Sequence, residues 1–337
     1  MNRLIRICLL ISLLTLNACS LNKMTGDMMT SYTKDHLTPY LLGSQDLEMA
    51  CEMGVSMGPY LLSFERVTDS PDEVAISTLM TAALCAEQRS WDEELRALRA
   101  QFHKNVAEAK DAMIAQKRAH ALAALRYYQS YERFLKVFAE DRCPNEDEEL
   151  SFLMGLISGV QAVQHDRASV VSVGVPADIP ANVARKTKCL DNDKWFGVPS
   201  ALQAAVWLVI PGSAPTEMEK DQQKPIFDQL QKATEIGNQK GLRIAGAIFA
   251  NAALSKGNLD LVKSIISKHA ESLKQTPSFA AYKLLDQTST LQIQSISDKI
   301  WTSQIGSRTP HQELGTFWVD PSQPKKEDAN QDLLEGL

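Results

Sequence analysis

The sequence predicts an all-α fold of stacked antiparallel helix pairs, a degenerate tetratricopeptide-like α-solenoid. Three observations point there. Apolar residues recur at helical spacing almost everywhere, and Val170-Val171-Ser172-Val173, bounded by Gly174 and Pro176, is the only strand candidate. Small residues crowd one late segment, Ala245, Gly246, Ala247, Ala250, Ala252 and Ala253, as close stacking of helices requires. The turn Lys256-Gly257-Asn258 is so tight that the helices flanking it must run antiparallel. A strict repeat consensus is absent, so any repeats are degenerate.

The elements follow in order. A first long helix is expected over 44–66, and Ser70-Pro71-Asp72-Glu73 starts the next, with proline in the first turn and acids after it. That helix is expected to end near Glu87, and Ser90 caps another opening at Trp91, with Glu93 placed for a capping box. Trp91 to Asp141 contains neither Pro nor Gly, and its length predicts a break near 115–118. Cys143-Pro144-Asn145 ends the segment, and the acids at 146–149 suit the positive end of a helix over 146–164. Gly155 and Gly159 in that helix permit close contact with a neighbour. Further helices are expected over 181–189, 198–209, 225–237, 240–254, 258–272 and 277–304.

The first residues read as an export signal. Arg3 and Arg6 precede the apolar run Ile7 to Leu16, which is too short to span a bilayer. Leu16-Asn17-Ala18-Cys19 resembles the lipobox of bacterial lipoproteins, which implies cleavage before Cys19 and acylation of that cysteine. Ser20 after it resembles the outer-membrane class, so the expected location is the periplasmic face of a bacterial outer membrane. The chain then divides into a signal over 1–18, a tether and first short helix over 19–43, a helical-repeat domain over 44–304 and a poorly ordered tail over 305–337.

Removing the signal takes two arginines and no acid, leaving 33 basic against 41 acidic residues. Mild acidity argues against nucleic acid as a partner. Beyond Cys19 no apolar run is long enough for a membrane helix. Cys51, Cys85, Cys143 and Cys189 remain, and four cysteines permit three pairings. Cys51–Cys85 with Cys143–Cys189 is preferred because each bond would staple neighbouring helices; four buried free thiols are the alternative. No CxxC spacing suggests zinc or redox chemistry.

Catalytic patterns are weak. Gly54-Val55-Ser56-Met57-Gly58 fits G-x-S-x-G, but helical residues precede it where a nucleophile elbow needs a strand. His36, His103, His120, His165, His269 and His311 are never three or four residues apart, so no catalytic residue, metal or cofactor is assigned. The acids at 146–149 read as helix capping rather than a calcium site, and Lys117, Arg118 and Arg126 as a solvated face rather than an anion site. Tyr127, Tyr128, Tyr131, Phe134 and Phe138 run at helical spacing, and Trp195, Phe196 and Trp207 follow later. They are read either as core or as the lining of a ligand groove, for which Tyr127, Tyr131, Trp195 and Trp207 are the candidates.

The order of segments resembles the T-component lipoproteins of tripartite ATP-independent periplasmic (TRAP) transporters. The likeness covers about 45–275. It begins with Gly58-Pro59-Tyr60-Leu61-Leu62 and Ser70-Pro71-Asp72, and continues through Ala107-Glu108-Ala109-Lys110 and the helix around Arg118 to Arg126. Asp178-Ile179-Pro180, Leu190-Asp191-Asn192-Asp193, Phe227 to Glu235 and Gly241 to Asn251 with its following turn complete it. The resemblance implies cryptic repeats, assembly into a homo-trimer, a cleft between helices, and docking to a periplasmic solute-binding subunit to pass on a hydrophobic ligand. Two further readings stand beside it: an outer-membrane helical-repeat adaptor for envelope assembly, and a periplasmic hydrolase using Ser56.

Overall fold

Each long helix packs against the one before it, running the opposite way. The computed structural model describes residues 21–68, 71–139, 142–210, 212–219 and 223–319, and among these there is no strand. A helix over 21–32 (α1) leads through a π-helical turn, Thr33–Leu37, into the short α2, Thr38–Leu42. Leu21, Met24, Met28 and Tyr32 lie along one exposed side of α1, opposite the buried Gly26 and Thr33.

The first half of the body is four antiparallel helices: α3 (Leu47–Ser63), α4 (Asp72–Phe102), α5 (Val106–Val137) and α6 (Glu149–Ala168). Cross-contacts give the directions. Cys51 is joined to Cys85 across α3 and α4; Arg96 meets Glu108 and Ser130 reaches Ile76 across α4 and α5. Ser130 meets Ser158, and the Phe134 and Phe152 rings lie 5.2 Å apart, across α5 and α6. α7 (Ile179–Lys186) and α8 (Val198–Val209) lead into the second half, and a single turn, α9 (Thr216–Glu219), follows. There α10 (Lys224–Lys240), α11 (Ile244–Ser255), α12 (Leu259–Gln275) and α13 (Lys283–Ile305) pack in sequence. α13 also returns against α4, with Lys299 bonded to Glu94 at 2.6 Å and Arg308, just beyond the helix, to Asp92 at 2.7 Å.

Among the described residues two large apolar cores result, with a small third cluster of Ala83, Ala86, Ala123, Tyr127 and Ala162 between α4, α5 and α6. One is aromatic and lies among α4 to α8, holding Phe134, Phe138, Phe152, Trp195 and Phe196. The other is built from Ala, Leu and Ile of α8 and α10 to α13. Between α10 and α11 the chain turns at Gly241, whose φ of +78° and close approach to Pro277 O exclude any side chain. Gly257 (φ +71°) makes the turn between α11 and α12, and the Asn258 side chain accepts the Leu261 N–H to start α12.

Several expected boundaries move. Asp72 to Phe102 is one uninterrupted helix, because the Ser90 hydroxyl is buried and bonds back to Glu87 O instead of capping at Trp91. The break expected near 115–118 falls at His103–Asn105. There Lys104 takes a positive φ of 58°, and the Asn105 side chain accepts the Glu108 N–H to begin α5. Val170 and Val171 lie exposed in a loop rather than a strand. Residues 306–319, expected in a poorly ordered tail, lie against α12 and α13. Gly315 O accepts the Ser267 hydroxyl, Thr316 O accepts the Trp301 indole, and Lys263 sits over the Phe317 ring. Leu314 and Phe317 supply apolar surface that the polar, proline-bearing stretch around them concealed.

α3 lies close on α4 because of Gly54. A Cβ there would meet Ala82 N and Thr81 Oγ1 at 2.5 Å and Thr78 O at 2.8 Å, whereas at Gly58 the nearest atom is Leu79 Cδ2 at 3.6 Å. Gly54→Ala is therefore expected to destabilise by about 1–3 kcal/mol, since helix backbone cannot yield as a side chain does. Gly58→Ala should be neutral or stabilise by up to about 1 kcal/mol through helix propensity. Urea midpoints of the two variants check the contrast.

Candidate functional site

A cavity opens where the two halves of the molecule face each other. Its larger chamber, about 440 Å³, is walled by apolar side chains from both halves. Ile157, Val160 and Val163 of α6 face Leu202, Val206 and Val209 of α8, with Ile244 and Ile248 of α11 and Leu285 of α13. Successive turns of these helices supply the wall; α8 and α11 are apolar nearly all round, so apolar side chains remain where a neighbouring helix does not cover them. A second chamber of about 300 Å³ adjoins it and is polar, lined by Glu87, Trp91 and Glu94 of α4, His120 of α5, His165 of α6, and Ser295 and Lys299 of α13. Gln161, Gln164, Asn251 and Gln292 border both. The volumes and the mostly apolar lining with a few convergent polar groups suit a small-molecule pocket.

A buried hydrogen-bond network forms one wall of the polar chamber. The Tyr127 hydroxyl donates to Glu87 Oε2 at 2.6 Å, and His165 Nε2 faces Glu87 Oε1 at 3.3 Å. The Nδ1 atoms of His120 and His165 are 2.8 Å apart. One proton per close pair is satisfied when His165 donates through Nε2 to the carboxylate and His120 donates through Nδ1 to His165. His120 Nε2 is then an acceptor. Glu87 is 4% exposed and His165 5%, so these bonds are shielded from water. Burial, with His165 alongside, pushes His120 down to about 4, and burial raises Tyr127 well above the usual phenol range.

Of the four aromatic groove candidates, Tyr127 lines the apolar chamber. Tyr131 stacks on Phe134 inside the first core. Trp195 stacks on Tyr282, and its indole donates to Glu149 at 2.8 Å. Trp207 packs on the second core. These three are away from the cavity because their large apolar area is used between helices. The cysteines are joined Cys51–Cys85 and Cys143–Cys189, with Cα separations of 5.4 and 5.2 Å. Cys19 lies outside the described residues. Ser56 sits exposed in the middle of α3, where Gly54 serves helix contact. Among the described residues, the grouping Cys51, Glu52 and Cys85 has metal-ligand spacing, but its two sulfurs are joined to each other. Arg126 donates to Ala82 O at 2.7 Å, and the 146–149 acids meet Arg142 and Lys194. No described helix is long and apolar enough to cross a membrane.

Glu87, His165 and the amide quartet carry no local motif, so linear spacing passes over them. His120 and His165 stand at nearly equal distances from the facing ends of α5 and α6, Val137 and Glu149, and that symmetry of an antiparallel hairpin is the signal that would pair them.

A second buried imidazole, His269, bonds Thr290 at 3.1 Å and is pushed down to about 3 by burial, with Arg243 nearby. Its folded value is depressed below the unfolded one near 6.5, so its stabilisation is complete above pH 6.5 and is lost as pH falls through the folded value. The loss runs at about 1.4 kcal/mol per pH unit inside that window. Urea midpoints are expected to fall between pH 6.5 and 4, and His269→Gln should make that fall shallower.

No family model, curated protein or solved structure matches the chain. Fold and site together define a class: an all-α helical-repeat protein with a two-chambered cavity between its halves.

Proposed function

We propose that this chain is a lipid-anchored, non-enzymatic carrier on the periplasmic face of the outer membrane. It takes an amphipathic ligand into the cavity and passes it to the solute-binding subunit of a TRAP-type transporter. The observation that carries the ligand half is the apolar chamber of about 440 Å³ facing α6, α8, α11 and α13. The docking half, and the homo-trimer that accompanies it, rest on the order of segments from Gly58 to Asn258 described above. The anchor rests on Cys19, and the exposed apolar side of α1, which starts just after it, supports a body held against lipid.

Two measurements test the reading. Organic extraction of the purified full-length protein is expected to release a stoichiometric amphiphile, and Ala205→Phe with Ile248→Phe, which fill the chamber, should abolish it. Titration against the solute-binding protein of a TRAP system from the same bacterium should give saturable binding; its absence would leave the chain a carrier with a different acceptor.

A further inference from the structure

The two chambers differ in chemistry but share a border of four side-chain amides, so one molecule can occupy both. We propose that the polar chamber is a head-group site, and that the ligand is an amphiphile with an uncharged, hydrogen-bonding head such as a hydroxyl or amide. This rests on the ligand-binding reading of the cavity and adds to it which end goes where and which charge is refused.

The charges facing the chamber decide the class. α4 contributes Glu87 and Glu94, α5 His120, α6 His165 and α13 Lys299, and the other cation of the cavity, Arg167 of α6, is exposed to water and lines the apolar chamber rather than the polar one. Lys299 is engaged by Glu94 at 2.6 Å, which leaves Glu87 as the unneutralised charge next to two imidazoles that share their protons with it and with each other. A carboxylate or phosphate head would add a negative charge beside two carboxylates, with the one ammonium already paired. An ammonium head would have to share Glu87 with the Tyr127 hydroxyl and His165, or displace Lys299 from Glu94. A purely apolar ligand would leave the amides at the border facing it unpaired.

A neutral head meets none of these obstacles. Gln161, Gln164, Asn251 and Gln292 each present both a donor and an acceptor, and the Ser295 hydroxyl, which donates to Gln292 O, adds an acceptor. His120 Nε2, left as an acceptor by the network behind it, can take the proton of a head-group hydroxyl. The network thus holds a neutral imidazole at the chamber wall, with Glu87 fixing the direction of its hydrogen bonds.

Native mass spectrometry of the full-length chain at pH 8 tests this, with dodecan-1-ol and dodecylammonium each in competition with dodecanoate. The alcohol is expected to occupy the protein at least ten-fold more than dodecanoate at equal concentration, and more than dodecylammonium does. Glu87→Gln should narrow the alcohol-to-acid ratio by at least three-fold. Lys299→Gln, at a partly exposed pair less prone to disturb folding, should widen it. Equal occupancy by alcohol and acid, or preference for dodecylammonium, would overturn the head-group assignment while leaving the carrier reading standing. Failure of all three probes to bind would overturn the carrier reading and the assignment with it.

Discussion

Asp286→Ala should destabilise the protein by about 3–5 kcal/mol, the largest effect expected of a single polar substitution here. Asp286 is 1% exposed and Arg243 is wholly buried at the start of α11. The carboxylate takes the Arg243 guanidinium at 2.6 Å, the Arg243 backbone N–H at 2.9 Å and the Ser278 hydroxyl at 2.6 Å. The guanidinium spends its remaining donors on Ser272 and on Thr276 O. Removing the carboxylate leaves a buried cation with only dipoles for company, and that stranded charge is what makes the loss large. The pair itself is worth far less than its rupture costs. Arg243→Met combined with Asp286→Leu should therefore recover much of the stability, and a double-mutant cycle in urea separates the two quantities. If Asp286→Ala alone cost under 1 kcal/mol, the site would have to be open to water.

Loss of a disulfide is next in size. Cys51–Cys85 spans 34 residues and Cys143–Cys189 spans 46, so loop-closure entropy assigns each about 4 kcal/mol at most, with about 2–4 usual in practice. Cys51→Ala with Cys85→Ala should cost toward the lower end, because α3 is also held to α4 by the close approach at Gly54. Cys143→Ala with Cys189→Ala should cost more. That bond closes the longer loop, tying the α5–α6 turn to the residues just after α7. Thermal unfolding with and without reductant gives the comparison, and wild-type protein in reductant should match the four-alanine variant.

The all-α class could be read from the chain because core-facing stripes of long helices repeat every turn, and no tertiary knowledge is needed to see them. Breaks were harder. At Asn105 the signal was an Asn three residues before Glu108, a plain N-cap pattern; length alone favoured a break farther on, and the chain spent that length on two helices of about thirty residues. Ser90 shows the converse: a good capping residue becomes an internal one when its hydroxyl can bond the carbonyl behind it. The cavity was least accessible. Tyr127 could be proposed because aromatics announce themselves, but the walls are ordinary Val, Leu, Ile and Gln whose role depends on which helices fail to touch. Arg243 and Asp286 lie 43 residues apart at the starts of two helices, where a charged residue looks solvated, and only their meeting makes them a buried pair.

The return of α13 onto α4 also sets an order of events during folding. The bond from Arg308 to Asp92 closes a loop of 216 residues, a closure whose entropy cost is smallest once the helices between have packed. Early pairs such as α4 with α5 join near neighbours and can assemble quickly, whereas this closure carries the entropy of most of the chain. Both chambers draw walls from α13, so neither exists until that helix has docked. A molecule held inside would have to be acquired after that docking, and could not be bound by the helices formed before it.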